Sequence, residues 1–215
     1  MLFRSAALRG AKFQTVMLVN DDPKNNNTYK TIELAATKRL AQNWQLAASY
    51  SATKRHVPFG DAYQAPLVLN PNAEINVADN TWLWISKVSG SYRFPLGLLA
   101  GFNLDVRQGD SAARTVLFRG GSSIPSIVLN VEPIGSIRVP TLKLLDLRGA
   151  KQFNVGGSRV LDVHLDCFNA LNLNVAVGSG VGSDPALTVR SGPSYLLPTT
   201  ILLPRTLQLE ARLTF

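Results

Sequence analysis

Residues 204–215 read P-R-T-L-Q-L-E-A-R-L-T-F, and they carry the clearest pattern in the chain. Every second residue is apolar: Leu207, Leu209, Ala211, Leu213 and Phe215. The residues between them are polar: Thr206, Gln208, Glu210, Arg212 and Thr214. Alternation with a period of two predicts a β-strand with one apolar face and one polar face. The length suits a tilted membrane strand of about 9–11 residues.

Similar alternation recurs upstream of this last strand. It predicts strands at 29–40, 44–53, 83–94, 98–109, 141–153 and 158–169, a first strand around Phe13–Asn20 and a short strand around Ile127–Val131. Tight turns are expected at Ala41–Asn43, Pro95–Gly97 and Asn154–Gly157, and long connections at 54–82, 120–140 and 171–203. Tight and long connections alternate, which is typical of outer-membrane barrels, whose turns are short on the periplasmic side.

The composition leaves two classes of protein open. Of 215 residues, 46% are hydrophobic and 17% are charged, whereas about a quarter is charged in a typical soluble domain. No segment approaches the roughly 20 apolar residues of a membrane helix. The chain is therefore either a soluble all-β protein with a large core or a membrane barrel, which alternates apolar and polar residues in its wall. The length allows one domain or a piece of a larger one.

Aromatic residues flank both kinds of connection. Trp44, Tyr92, Phe94 and Phe153 lie next to tight turns, whereas Trp82, Trp84 and Phe168 lie next to long connections. This placement predicts two aromatic girdles, one at each membrane interface. Aromatic caps at the ends of a soluble core are the alternative. The apolar positions also include small residues such as Gly90 and Gly149, which a wall facing lipid tolerates because lipid chains fill the gaps.

The polar positions of the last strands carry opposite charges. We expect these residues to face the lumen of a barrel: Asp146, Arg148, Asp162, Asp166, Glu210 and Arg212. Residues two apart on a strand share a face, so acids and arginines of neighbouring strands would form a ladder. Ordinary surface ion pairs, each contributing roughly 0–1 kcal/mol, are the alternative.

Several other functions are not expected. The net charge of +8 comes from Lys and Arg residues that are spread along the chain without interleaved aromatics, which argues against nucleic acid. Cys167 is the only cysteine, so no internal disulfide forms. Asp162, His164 and Asp166 share a face, but spacing of about 6.6 Å per pair along a strand favours wall residues over a catalytic site. No cofactor or metal is expected.

Four stretches together resemble the C-terminal barrel of TonB-dependent outer-membrane transporters, in particular the Oar-like group with a carboxypeptidase-regulatory-like domain. They are T-I-E-L-A-A-T-K-R-L-A-Q-N-W-Q-L-A-A-S-Y-S-A-T-K, V-S-G-S-Y-R-F-P, V-E-P-I-G-S-I-R-V-P-T-L-K-L-L-D-L-R and L-D-V-H-L-D-C-F-N-A-L-N. The ending, with Leu209, Ala211, Leu213 and a terminal Phe215, resembles the strand that the barrel assembly machinery reads. The resemblance implies a bacterial outer-membrane location and contact with outer-membrane lipid.

The sequence thus predicts an all-β fold of antiparallel transmembrane β-barrel strands, roughly ten in number, forming one partial barrel over residues 1–215. No segment resembles a plug domain, so the resemblance implies contact with TonB only through a plug outside this sequence. Residues 1–12 lack the unbroken apolar stretch of a signal peptide. We therefore expect a transporter fragment that is not competent for transport alone. A complete small barrel acting as a pore or adhesin, or a soluble β-sandwich binding module, are the alternatives.

Overall fold

A computed structural model describes residues 26–58, 75–119, 126–157, 159–177 and 186–215, and this part of the chain is all-β. Seven strands form one large antiparallel sheet. They are β1 (Thr28–Ala41), β2 (Trp44–His56), β3 (Trp82–Phe94), β4 (Leu98–Arg107), β9 (Leu142–Gly156), β10 (Arg159–Phe168) and β11 (Thr206–Thr214). The expectation of an all-β, antiparallel fold is confirmed. No helix in the described ranges has the length and apolarity needed to span a membrane.

The strand order in this sheet is β1-β2-β3-β4-β9-β10-β11, so β1 and β11 form its two edges. Each neighbouring pair is antiparallel. Because the direction alternates over an odd number of strands, β1 and β11 run the same way. These seven strands by themselves therefore do not close into a fully antiparallel barrel.

Short connections join the strands at one end of the sheet and long connections join them at the other, as the sequence predicts. Strands are joined at one end, which we call the turn end, by Gln42 and Asn43, by the 3-10 turn Pro95–Gly97 and by the short connection that begins at Gly157. Gln42 and Asn43 both have positive φ, a conformation that asparagine adopts more readily than most residues. The long connections from β2 to β3, from β4 to β9 and from β10 to β11 leave and rejoin the sheet at the opposite end, which we call the loop end.

Four short strands lie within the second long connection. β5 (Ser111–Ala112) pairs with β8 (Ile137–Arg138), and β6 (Thr115–Phe118) pairs with β7 (Ile127–Asn130). The short strand expected near residue 127 therefore exists, but it belongs to a small hairpin outside the large sheet. The described residues thus contain seven long strands and four short ones, where roughly ten were expected. The strand predicted at Phe13–Asn20 lies outside the described residues.

The large sheet has no hydrophobic core on either side in the described part of the chain. Ala113 and Ala186 are the buried hydrophobic residues there. Large apolar side chains are instead open: Leu34 is 64% exposed, Leu209 72% and Phe215 80%. Contiguous exposed apolar residues of this kind typically mark a surface that contacts another protein or a membrane.

Gly90, in the central part of the sheet, leaves no room for a side chain because atoms of neighbouring strands lie close to it. A Cβ at this position would lie 3.0 Å from both the Gln45 carbonyl oxygen and Cε1 of Phe102. Gly149, also in a central strand, has no atom within 4 Å of such a Cβ. We expect Gly90→Val to lower the free energy of unfolding by about 1–3 kcal/mol through overpacking. Gly149→Ala should be neutral or stabilising.

Chemical denaturation of the two variants in the same lipid or detergent would measure this difference. A Gly90→Val protein as stable as Gly149→Ala would show that Phe102 moves aside without cost.

Candidate functional site

The candidate functional site is the large sheet itself, because its register places most of the large apolar side chains of the strands on one face. Cross-strand partners carry the alternation from strand to strand, apart from register shifts between Lys38 and Ala41 and between Arg159 and Val160. One row across the sheet is Leu209, Leu165, Gly149, Ala100, Tyr92 and Trp44. The adjacent row on the opposite face is Gln208, Asp166, Arg148, Gly101, Ser91 and Gln45. We call these the apolar face and the polar face.

The predicted assembly strand β11 pairs with β10 along its whole length. Leu209 lies opposite Leu165, Ala211 opposite Val163, and Leu213 opposite Leu161. The terminal Phe215 follows Thr214, the last residue of β11 that pairs with β10. The guanidinium carbon of Arg159 lies 5.9 Å from the centre of the Phe215 ring. The apolar residues of β11 are thus continuous with the apolar face of the whole sheet.

The predicted interface aromatics other than Phe168 lie on the apolar face. Trp44, Tyr92, Phe94 and Phe153 are near the turn end, and Trp84 is near the loop end. Tyr92 and Phe94 meet edge to face with ring centres 4.6 Å apart, and Trp84 stacks with Tyr50 at 6.5 Å. Phe168 differs from the expectation: it lies opposite Thr206 on the polar face, so it does not belong to the aromatic row at the loop end.

The predicted lumen-facing charges lie on the polar face, and one pair is bound closely. The guanidinium of Arg148 donates two hydrogen bonds to Asp166, with Nε–Oδ1 at 2.5 Å and Nη2–Oδ2 at 2.7 Å. The Asp166 side chain is 6% exposed and that of Arg148 is 52% exposed. This two-pronged geometry is the strong form of a charge-assisted hydrogen bond. It locks the polar sides of β9 and β10 together.

The other predicted charges are placed by register without such a bond. Asp162 lies opposite Arg212, and Glu210 lies opposite His164. Asp146 accepts a hydrogen bond from the backbone N–H of Asn169 at 3.0 Å. The predicted charges on the polar face therefore include one tight ion pair and one carboxylate that accepts a hydrogen bond from the start of a long connection.

Asn169 and Asn172 organise the last long connection, and the sequence reasoning did not assign them a role. The Asn169 side-chain amide donates to the carbonyls of Leu173 at 3.0 Å and Leu203 at 2.9 Å, and its Oδ1 accepts from the Leu173 N–H. The Asn172 Oδ1 accepts from the Arg205 N–H at 3.0 Å. Both asparagines have positive φ. The sequence feature that could have indicated this role is the repeated asparagine in F-N-A-L-N, residues 168–172.

The long connections contact one another at the loop end. Thr115 forms a bridge with Arg190, and Nε of Arg114 donates to the Ser191 hydroxyl at 2.9 Å. Asn76 and Asn130 exchange side-chain to carbonyl hydrogen bonds at 3.2 Å and 3.0 Å. A cavity of about 460 Å³ lies between the second and third connections. Its lining is mostly apolar: Ile137, Arg138, Pro140, Asn174, Ala176, Leu187, Leu196, Pro198 and Ile201.

Asp79 connects the two described ends of the first long connection through hydrogen bonds. Its backbone exchanges two hydrogen bonds of 2.8 Å with Val57, and its carboxylate accepts from the Thr81 N–H at 2.9 Å and hydroxyl at 2.7 Å. Burial raises the pKa of Asp79, but the hydrogen bonds from Thr81 and the charge of Arg55 outweigh it, so the pKa falls below its ordinary value. The ionised carboxylate is therefore the form that stabilises this loop base.

The loop base should loosen in acid. A depressed folded-state pKa means that the stabilisation is complete above the unfolded value of about 3.9 and is lost as the pH falls through the folded value. We expect protection factors of the Val57 and Thr81 amides, corrected for intrinsic exchange, to drop below about pH 4. Asp79→Asn should show the low protection at neutral pH as well. Equal protection of wild type at pH 6 and pH 3 would contradict the assignment.

The described residues contain no cluster of three or more potential metal ligands. No family model, no curated protein and no solved structure matches this chain.

Proposed function

We propose that this chain is part of the wall of a β-barrel in the bacterial outer membrane, with the apolar face against lipid and the polar face lining the lumen. The observation that carries the proposal is the apolar face, which is continuous across seven strands and uncovered in the described part of the chain. Lipid covers such a face without requiring a second sheet. The short turns at one end and long connections at the other agree with the layout of outer-membrane barrels.

The resemblance to Oar-like TonB-dependent transporters gives this wall its role. In that role the polar face and the long connections would be lumen lining and extracellular surface, and the wall would act passively. The energy for transport would come from the TonB system through a plug domain, which no segment of this sequence resembles. The β11 ending, from Leu209 to Phe215, would be the element read by the barrel assembly machinery.

Strand direction supports a larger barrel. An all-antiparallel barrel needs an even number of strands, and β1 and β11 of the large sheet run the same way. Closure therefore requires an odd number of further strands between these two edges. A 22-stranded transporter barrel would require fifteen more, since seven of the 22 are accounted for.

A complete small barrel is the second candidate. One added strand would make eight, the smallest size common among outer-membrane barrels, and the sequence predicts a strand at Phe13–Asn20, outside the described residues. The full chain refolded alone in detergent separates the two. A monomer that migrates faster unheated than boiled on SDS gels indicates a closed small barrel. Aggregation indicates unpaired edges that need partner strands.

The membrane assignment itself is tested by site-directed labelling of the full chain in lipid. Starting from Cys167→Ser, single cysteines are placed at consecutive positions 84–89 of β3 and given a spin label. Apolar-face positions 84, 86 and 88 should be most accessible to oxygen, and positions 85, 87 and 89 to a water-soluble nickel chelate. Equal accessibility on both faces, or a stable monomer in water without detergent, would overturn the proposal.

A further inference from the structure

The two faces of the large sheet differ in charge as well as in polarity. Every acidic residue of the seven long strands lies on the polar face: Glu33, Asp105, Asp146, Asp162, Asp166 and Glu210. The apolar face of these strands carries basic residues instead: Lys30, Lys38, Lys54, Lys143, Lys151 and Arg159. Five of these positions lie within the first or last four residues of their strands, and the ammonium of Lys151 reaches the turn end, where it donates to the Leu96 carbonyl oxygen. The apolar face is therefore purely cationic at its margins.

At the turn end, each of these cations lies over an aromatic ring. The Lys38 ammonium is 3.8 Å from the ring centre of Trp44, and Lys151 is 5.7 Å from that of Phe153. Lys38 also donates to the carbonyl oxygens of Ala41 at 2.9 Å and Trp44 at 3.3 Å. The aliphatic stem thus follows the apolar surface and the charged head bends toward the turn end, as lysines do at a membrane interface.

An apolar groove adjoins the Lys38–Trp44 pair. Its volume is about 550 Å³, within the usual range of small-molecule pockets. On the apolar face it is lined by Trp44, Leu46, Tyr92, Ala100, Phe102 and Leu147. Trp44 is shared, because it lines the groove and its ring also lies beneath the Lys38 ammonium. A ligand with an apolar chain in the groove would therefore bring its head to Lys38.

Resting on the proposed function, we propose that this groove and Lys38 bind one anionic glycerophospholipid. An acyl chain occupies the groove and the phosphate accepts a hydrogen bond from the Lys38 ammonium. The charge of the face selects the headgroup. A zwitterionic lipid also carries an ammonium, and this face offers it no carboxylate in the described strands. An anionic headgroup such as phosphatidylglycerol meets only cations there.

Trp44 provides the probe. In the full chain carrying Trp82→Phe and Trp84→Phe, Trp44 is the only tryptophan. This protein, folded in zwitterionic detergent, is titrated with phosphatidylglycerol or phosphatidylcholine brominated on the acyl chains. We expect half-maximal quenching of Trp44 at about fivefold lower mole fraction of phosphatidylglycerol, the effect of one lysine near an anionic headgroup.

Variants identify the group responsible. Lys38→Gln should remove the preference and Lys38→Arg should retain it, whereas Lys87→Gln, on the polar face, should leave it unchanged. Equal quenching by both lipids in the unaltered background would overturn the lipid site and leave the barrel wall standing. A preference that survives Lys38→Gln would also overturn it. No quenching of Trp44 by either lipid would overturn the proposed function, because the apolar face would then not contact lipid.

Discussion

Replacing Val88 by arginine is expected to destabilise the protein in a bilayer by about 2–4 kcal/mol, the cost of a cation at the lipid-facing midplane of a barrel. Val88 is the middle residue of β3 and pairs with Ala48 and Leu104 on the apolar face. The same substitution at the next residue, Ser89, places the guanidinium on the polar face. There it meets water and polar side chains, so Ser89→Arg should have little effect.

A third variant tests how the cost of a lipid-facing arginine depends on its depth in the bilayer. Phe94 lies at the end of β3 on the apolar face, and an arginine there would reach the interface and cost about 0–1 kcal/mol. Urea unfolding of the three variants in lipid vesicles, followed by tryptophan fluorescence, measures the differences. Equal losses at Val88 and Ser89 would mean that neither face meets lipid preferentially. A larger loss at Ser89 would place the polar face outward.

Removing Arg148 is expected to be the most damaging change on the polar face. Arg148→Met leaves the Asp166 carboxylate, whose side chain is 6% exposed, without the two bonds that offset its burial. The expected loss is about 2–3 kcal/mol of unfolding free energy. Asp166→Asn should cost less, about 1 kcal/mol, because the Arg148 side chain is half exposed and water solvates it.

The result to look for is a larger loss of unfolding free energy for Arg148→Met than for Asp166→Asn, because only the aspartate is buried. In the double variant Arg148→Met with Asp166→Leu, both charges are removed and part of the loss should be recovered. Arg212→Met serves as the control, since Arg212 lies opposite Asp162 in register but is not within salt-bridge distance of it in the described structure. A loss at Arg148 no greater than at Arg212 would show that the pair contributes nothing to stability.

The sequence by itself determined the class of the elements and the membership of each face. Period-two alternation assigns Leu209 and Gln208 to opposite faces wherever β11 pairs, because successive side chains point to opposite sides of a strand. The tight turns at Pro95–Gly97 and near Gly157 were equally visible, since glycine and proline favour few backbone conformations. Strand ends were less certain: β9 extends through Gly156, three residues past the predicted end.

Only the tertiary structure decided which residues meet across the strands. A shift of two residues between β9 and β10 would keep every face unchanged and yet move Arg148 away from Asp166, so alternation alone does not select this pair. The same holds for Phe168, whose position beside a long connection suggested an interface aromatic until the register placed it on the polar face.

The loop end shows the same division between local and long-range information. The hydrogen bonds of Asn169 to Leu203 and of Arg114 to Ser191 join residues 34 and 77 positions apart, and no local pattern encodes such contacts. The Lys38–Trp44 pair is within reach of a turn, but its groove needs side chains from three further strands. The local sequence therefore determined the alternation, and the register of the assembled sheet decided where charge, aromatic ring and groove come together.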